Sequence, residues 1–128
     1  MLVSQVTGSP ALPLVTVVDD DDAVRESLSE LLQALGFSTM TYPSAESFLA
    51  SDSLERTRCL VLDVAMPAMT GPELMRELEA RGNHVPIVFI TAHDEARSRL
   101  LTSGAIDCLA KPFSDQMLEG AVRRALGP

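Results

Sequence analysis

Five short apolar runs punctuate the chain, and a polar or turn-forming stretch follows each. They are LVTVV (14–18), FSTMTY (37–42), CLVL (59–62), PIVFIT (86–91) and AIDCLA (105–110). They are rich in β-branched residues and mostly lack polar alternation, the pattern of strands covered on both faces. Between them, apolar residues recur at helical spacing. Val24, Leu28, Leu31, Leu32 and Leu35 follow the first run; Phe48 and Leu49 follow Pro43 and Ser44; Leu74, Met75 and Leu78 follow the third. Ala96, Leu100 and Leu101 give a thin apolar face to a helix expected over 93–103, and Leu118, Ala121, Val122 and Leu126 mark the last. The punctuation agrees. Gly36 and Gly82 stand where helices end, Thr70 and Glu73 have capping-box spacing around Pro72, and Ser114 or Asp115 can cap the final helix. This (βα)5 alternation predicts an α/β fold, a doubly wound five-stranded parallel sheet between two helix layers. Residues 1–13, with Gly8, Pro10 and Pro13, read as a flexible leader, which leaves the domain over 14–128.

Composition sharpens this outline. A length of 128 residues fits one domain, and 46% apolar residues with one Tyr and no Trp imply a mostly aliphatic core. A net charge of −8 argues against binding a nucleic-acid backbone through these residues. Cys59 and Cys108 lie in apolar runs without metal-ligand or disulfide spacing, and read as buried hydrophobes. The start lacks a signal-peptide pattern and no run approaches a membrane span, so a cytoplasmic protein is expected.

The ends of the predicted strands carry the chemistry. The first ends in Asp19 and Asp20, the third in Asp63, the fourth in Thr91, and the fifth leads to Lys111. Parallel sheets of this kind place their sites beyond the carboxyl ends of the strands, at the topological switch point. Three carboxylates, a hydroxyl and an ammonium should therefore share one rim. Clustered carboxylates are costly unless a cation joins them, and oxygen donors suit Mg²⁺ or a similar hard ion. One carboxylate can then attack phosphorus while Lys111, Thr91 and backbone N–H groups neutralise the transferred oxygens. Asp21 and Asp22 read instead as helix-start acids complementing the dipole.

With these residues in place, the chain resembles the receiver domain of two-component response regulators from about residue 14 onward. The motifs are VVDD (17–20), LDVAMPAMTG (62–71), ITA (90–92) and KPF (111–113), and the runs AVRESL, GFSTMTYPSAESFLA and PIVFITAH resemble the FixJ-like branch. The resemblance implies a flavodoxin/CheY-like sheet in the order 2-1-3-4-5. It implies Asp63 as phosphoacceptor, and Asp20, Asp19, Asp63 and the Ala65 carbonyl around Mg²⁺ (or Mn²⁺). Thr91 and Lys111 would bind phosphoryl oxygens, with a cis Lys111–Pro112 bond. It further implies a sensor histidine kinase as partner and a phosphorylation switch rather than an enzyme. The face made by the fourth helix, fifth strand and fifth helix would change on phosphorylation, act on a partner or output domain, and in FixJ-like relatives dimerise. Such relatives often carry a DNA-binding half, which these residues do not contain. Three positions depart from the pattern. Cys108 stands where an aromatic switch residue is usual, Ala65 is small beside the acceptor, and His93 follows Thr91 by two, where it is a candidate for pH-dependent phosphoryl lifetime.

Other classes remain as alternatives. A phosphorylation-independent pseudo-receiver is kept open by Cys108. An aspartyl-nucleophile phosphohydrolase would want an acid where Ala65 stands, and a flavin binder would want a phosphate loop after the first strand.

Overall fold

The computed structural model describes residues 12–93 and 95–127, so most of the predicted leader lies outside the described residues. Five strands run β1 Leu14–Val18, β2 Ser38–Tyr42, β3 Cys59–Asp63, β4 Ile87–Thr91 and β5 Asp107–Ala110. Five helices alternate with them, α1 Asp22–Ala34, α2 Ala45–Leu49, α3 Gly71–Ala80, α4 Arg97–Thr102 and α5 Asp115–Leu126. All pairings are parallel and the order is β2-β1-β3-β4-β5. The order reverses between β1 and β3, the switch point where a site is expected.

Two apolar layers flank the sheet. Because side chains alternate across a strand, Leu60, Leu62 and Phe89 face Leu74, Leu78 and Phe48 on one side, while Val15, Val17, Val61 and Ile90 meet Leu28, Leu32, Leu118 and Val122 on the other. β1, β3 and β4 are buried along their whole length, whereas the edge strand β2 is only partly covered. Cys59 and Cys108 are buried thiols, and Met66 and Met75 pack in the core.

Local signals govern where the helices begin and end. Asp21 caps α1 by accepting from the Ala23 and Val24 N–H groups, and Gly36 leaves it at φ 98°, a conformation that favours glycine. Thr70 and Glu73 form the predicted capping box of α3, and Ser114 caps α5. The fourth helix differs from its expected span of 93–103. It covers only Arg97–Thr102, and its N-cap residue Ala96 offers no side-chain acceptor to the first turn. β5 likewise begins at Asp107 rather than at Ala105. No helix among the described residues is long and apolar enough to cross a membrane.

Candidate functional site

The predicted residues do meet at one rim. Asp19 and Asp20 are the first residues beyond β1, Asp63 and Thr91 end β3 and β4, and Lys111 follows β5. Carboxylate oxygens of Asp19, Asp20 and Asp63 lie within 4.8 Å of one another. Asp19 is fully buried, Asp63 is 6% exposed, and Asp20 faces solvent.

Asp19 is committed on every side. Its Oδ1 accepts the Asp21 N–H at 2.9 Å, and its Oδ2 faces Lys111 Nζ at 3.4 Å. Its main-chain N–H donates to the Tyr42 carbonyl, and its own carbonyl accepts from the Arg25 guanidinium. Asp63 is poised differently. Burial, then the neighbouring Asp19, push its carboxyl up to about 6; the Lys111 ammonium and a hydrogen bond from the Ala65 N–H pull it down, and Asp20 adds a smaller upward push. Three such carboxylates repel one another, and a divalent cation among them would relieve this. Two of the three are buried and one opens to water. That oxygen-donor set fits a hard ion that keeps several waters, as Mg²⁺ does.

The β3–α3 loop holds this arrangement through its backbone. The Gly71 N–H donates to the Val64 carbonyl at 3.0 Å, and a Cβ at Gly71 would fall 2.3 Å from the Asp63 carbonyl oxygen. Only glycine lets α3 start so close to the end of β3. Ala68 adopts φ 62° in the same loop, an unusual conformation for a residue with a Cβ. Met66, buried at 6% exposure, anchors the turn in the core.

Thr91 is buried, and its Oγ1 accepts the His93 N–H at 3.0 Å. The hydroxyl proton is left to donate elsewhere. His93 itself is exposed and contributes this main-chain contact. The Lys111 N–H donates to the Thr91 carbonyl at 2.7 Å, which ties the β5–α5 turn to β4, and the Lys111–Pro112 bond is cis. Ala65 is exposed beside Asp63 and meets it through its N–H.

Two features escaped the sequence reading. One is Arg25 on the Asp19 carbonyl. The other is Asp107, a largely buried acid at the start of β5, which accepts from Arg97 of α4 at 3.3 Å and from Arg124 of α5. Arg97 also donates to the Cys108 carbonyl at 3.2 Å, while the Cys108 N–H is taken by the Asp107 carboxylate at 2.7 Å. The signal available for Arg25 was its position, since a cation in the first turn of a helix opposes the dipole and needs a reason to be there.

A family model described as the response regulator receiver domain matches residues 15–123. The chain belongs to the response-regulator receiver family. It is 45% identical over 116 residues to the transcriptional regulatory protein FixJ of Azorhizobium caulinodans, covering 88% of this chain and 54% of that protein. The crystal structure of FixJ-N, 36% identical, superposes with a TM-score of 0.80 over 89% of this chain and 93% of that one. The TrrA response regulator of Thermotoga maritima, solved in complex with Mg²⁺–BeF, is 29% identical with a TM-score of 0.81, covering 90% of this chain and 100% of that one. The chain spans about half the length of the curated relatives it matches. Receivers act as phosphoacceptor switches in two-component systems, take their signal from histidine kinases and bind Mg²⁺ at an acidic pocket.

Proposed function

We propose that Asp63 accepts a phosphoryl group from a sensor histidine kinase, and that the receiver domain extends over 14–128. The observation that carries this is the meeting of Asp19, Asp20 and Asp63 within 4.8 Å, beside Lys111 and next to the strand that ends in Thr91. With its carboxyl pushed up to about 6, Asp63 is ionised at neutral pH yet more basic than an ordinary aspartate, which suits a nucleophile. A carboxylate oxygen of Asp63 bonds to phosphorus as the phosphorus–nitrogen bond of the donor histidine breaks, and the imidazole leaves with the electron pair.

The chain's own residues handle the charge that arrives. Lys111, now on Asp19, turns its ammonium to a phosphoryl oxygen. Thr91 donates its hydroxyl proton to another, since its oxygen already accepts from His93. The cation site comprises Asp19, Asp20, Asp63 and the Ala65 carbonyl, and takes Mg²⁺ (or Mn²⁺). When bound, the ion neutralises the carboxylates and the incoming phosphoryl oxygens. The face of α4, β5 and α5 reports the modification to an output half, a partner or a second copy. The setting is cytoplasmic, within a regulator of transcription.

The test is incubation with acetyl phosphate and Mg²⁺, read on phosphate-affinity gels. The wild type should shift, Asp63→Asn should not, and the shift should vanish with chelator. An unshifted wild type would point to the phosphorylation-independent module instead.

A further inference from the structure

We infer that Arg25 is a positioning residue for the cation site, acting through the Asp19–Asp20 peptide. This rests on the reading that the acid cluster takes Mg²⁺. Arg25 lies in the first turn of α1, and its guanidinium has two partners. One nitrogen donates to the main-chain carbonyl of Asp19, the other to the carboxylate of Asp22. The Asp22 contact does not explain where the side chain sits. Asp22 is 92% exposed, and a pair with so exposed an acid contributes little. Arg25 itself is only 15% exposed, folded back against the loop. The Asp19 carbonyl is therefore the contact that fixes it.

That carbonyl belongs to a fully buried residue, and Arg25 is its donor among the described residues. Without the guanidinium it would lose its hydrogen bond, which is costly for a buried group unless the peptide shifted to reach water. The neighbours leave only one part of this loop free to turn. The Asp19 carboxylate is held by the Asp21 N–H and by Lys111, and its N–H by Tyr42. Among the described residues the Asp19–Asp20 peptide has no such double anchor, and Asp20 is the exposed member of the cluster. A shift of that peptide that carries the Asp20 Cα with it would move the Asp20 carboxylate relative to Asp63. The charges that act on the Asp63 carboxyl are those of Asp19, Lys111 and Asp20. Arg25 works from the other side of the peptide, as a clamp on the backbone.

Two effects of removing Arg25 oppose each other. Loss of a cation deepens the negative field and favours any divalent ion. Loss of the clamp frees Asp20 and disfavours an ion that demands strict octahedral geometry. Mg²⁺ demands it, while Ca²⁺ tolerates irregular and flexible ligand sets. The ratio of Mg²⁺ to Ca²⁺ affinity therefore separates positioning from plain charge, because a change in field shifts both ions together.

The experiment is calorimetric titration of the whole chain with MgCl₂ and, separately, CaCl₂. The wild type is compared with Arg25→Met, which keeps the length of the stem, and with Arg25→Lys. Melting in chelator runs alongside. Arg25→Met should bind Mg²⁺ about tenfold more weakly, the usual scale for a group that orients a ligand. Ca²⁺ affinity should fall less, and Arg25→Lys should recover part of the difference. Unchanged or tighter Mg²⁺ binding overturns the inference, and so does an equal fall for both ions. If Arg25→Met does not fold, Arg25→Lys decides alone: a reduced Mg²⁺ to Ca²⁺ ratio supports positioning and an unchanged ratio overturns it. A wild type that binds no Mg²⁺ in the same titration overturns the cation-site reading itself, a result distinct from normal wild-type binding with an unaltered variant.

Discussion

The loops after β1 and β3 lie at the middle of the sheet, the flank formed by α4 and β5 lies at its edge, and the two are held in different ways. Asp19 is locked by four contacts, and Gly71 brings backbone against backbone at the end of β3. Little there can move without breaking main-chain geometry. α4 is a six-residue helix with no side-chain N-cap; Leu100 anchors it in the core, and the Arg97–Asp107–Arg124 cluster ties it to β5 and α5. Those two arginines are 43% and 59% exposed, so water can replace their contacts at modest cost. The acid cluster sits on the rigid side, and the flank proposed to report phosphorylation is held in part by exchangeable polar contacts. Elements that move are drawn from the less stable parts of a fold.

The largest test of the rigid side is Gly71→Ala. Its Cβ would meet the Asp63 carbonyl at 2.3 Å, so we expect a loss of about 3 kcal/mol or more in urea unfolding. A cost under about 1 kcal/mol would show that the loop yields and the contrast is false. Next is the charge on Asp63 itself. Its folded pKa of about 6 lies above the ordinary carboxylate value, so the folded chain holds that proton more tightly than the unfolded chain does. The stability this group contributes is fully present below the unfolded pKa and is lost as pH rises through about 6. In chelator at pH 7, Asp63→Asn should therefore be more stable than wild type by roughly 1–2 kcal/mol, and the difference should fade as pH falls toward about 4. A difference that does not vary with pH would mean that Asp63 carries no strain from its neighbours.

On the flexible side, Asp107→Asn should cost about 1–2 kcal/mol, less than a fully buried ion pair because both arginines can return to water. Amide exchange in α4 should speed up while Mg²⁺ affinity stays as in the wild type. Slowed or unchanged exchange would deny the cluster its role in holding the helix. The smallest effect is expected at Ala68, whose φ of 62° disfavours a Cβ. Ala68→Gly should stabilise the chain by roughly 0.5 kcal/mol, the steric relief exceeding the entropy glycine adds to the unfolded state.

The elements were legible because their signals are local. Apolar runs without alternation marked the covered strands, and Thr70 with Glu73, Ser114 and Gly36 marked helix ends. The five site residues were legible for the same reason, each standing at the end of an apolar run. α4 was overextended because the thin apolar spacing of Ala96, Leu100 and Leu101 does not mark where the helix starts, which is at Arg97 after an N-cap residue without a polar side chain. Arg25 and Asp107 were missed because their partners are set by folding. Arg25 reaches a backbone carbonyl, which no side-chain pattern encodes, and Asp107 finds Arg97 and Arg124 only once β5 lies between α4 and α5. The clash at Gly71 is invisible for a similar reason, since it depends on how closely α3 approaches β3.

The central claim is that Asp63, alone among the clustered acids, takes the phosphoryl group. Borohydride reduction of the chain after acetyl phosphate treatment with Mg²⁺, followed by peptide mass mapping, tests it most directly. Homoserine is expected at position 63, with Asp19 and Asp20 unaltered. Homoserine at either of those positions, or at none, would contradict it.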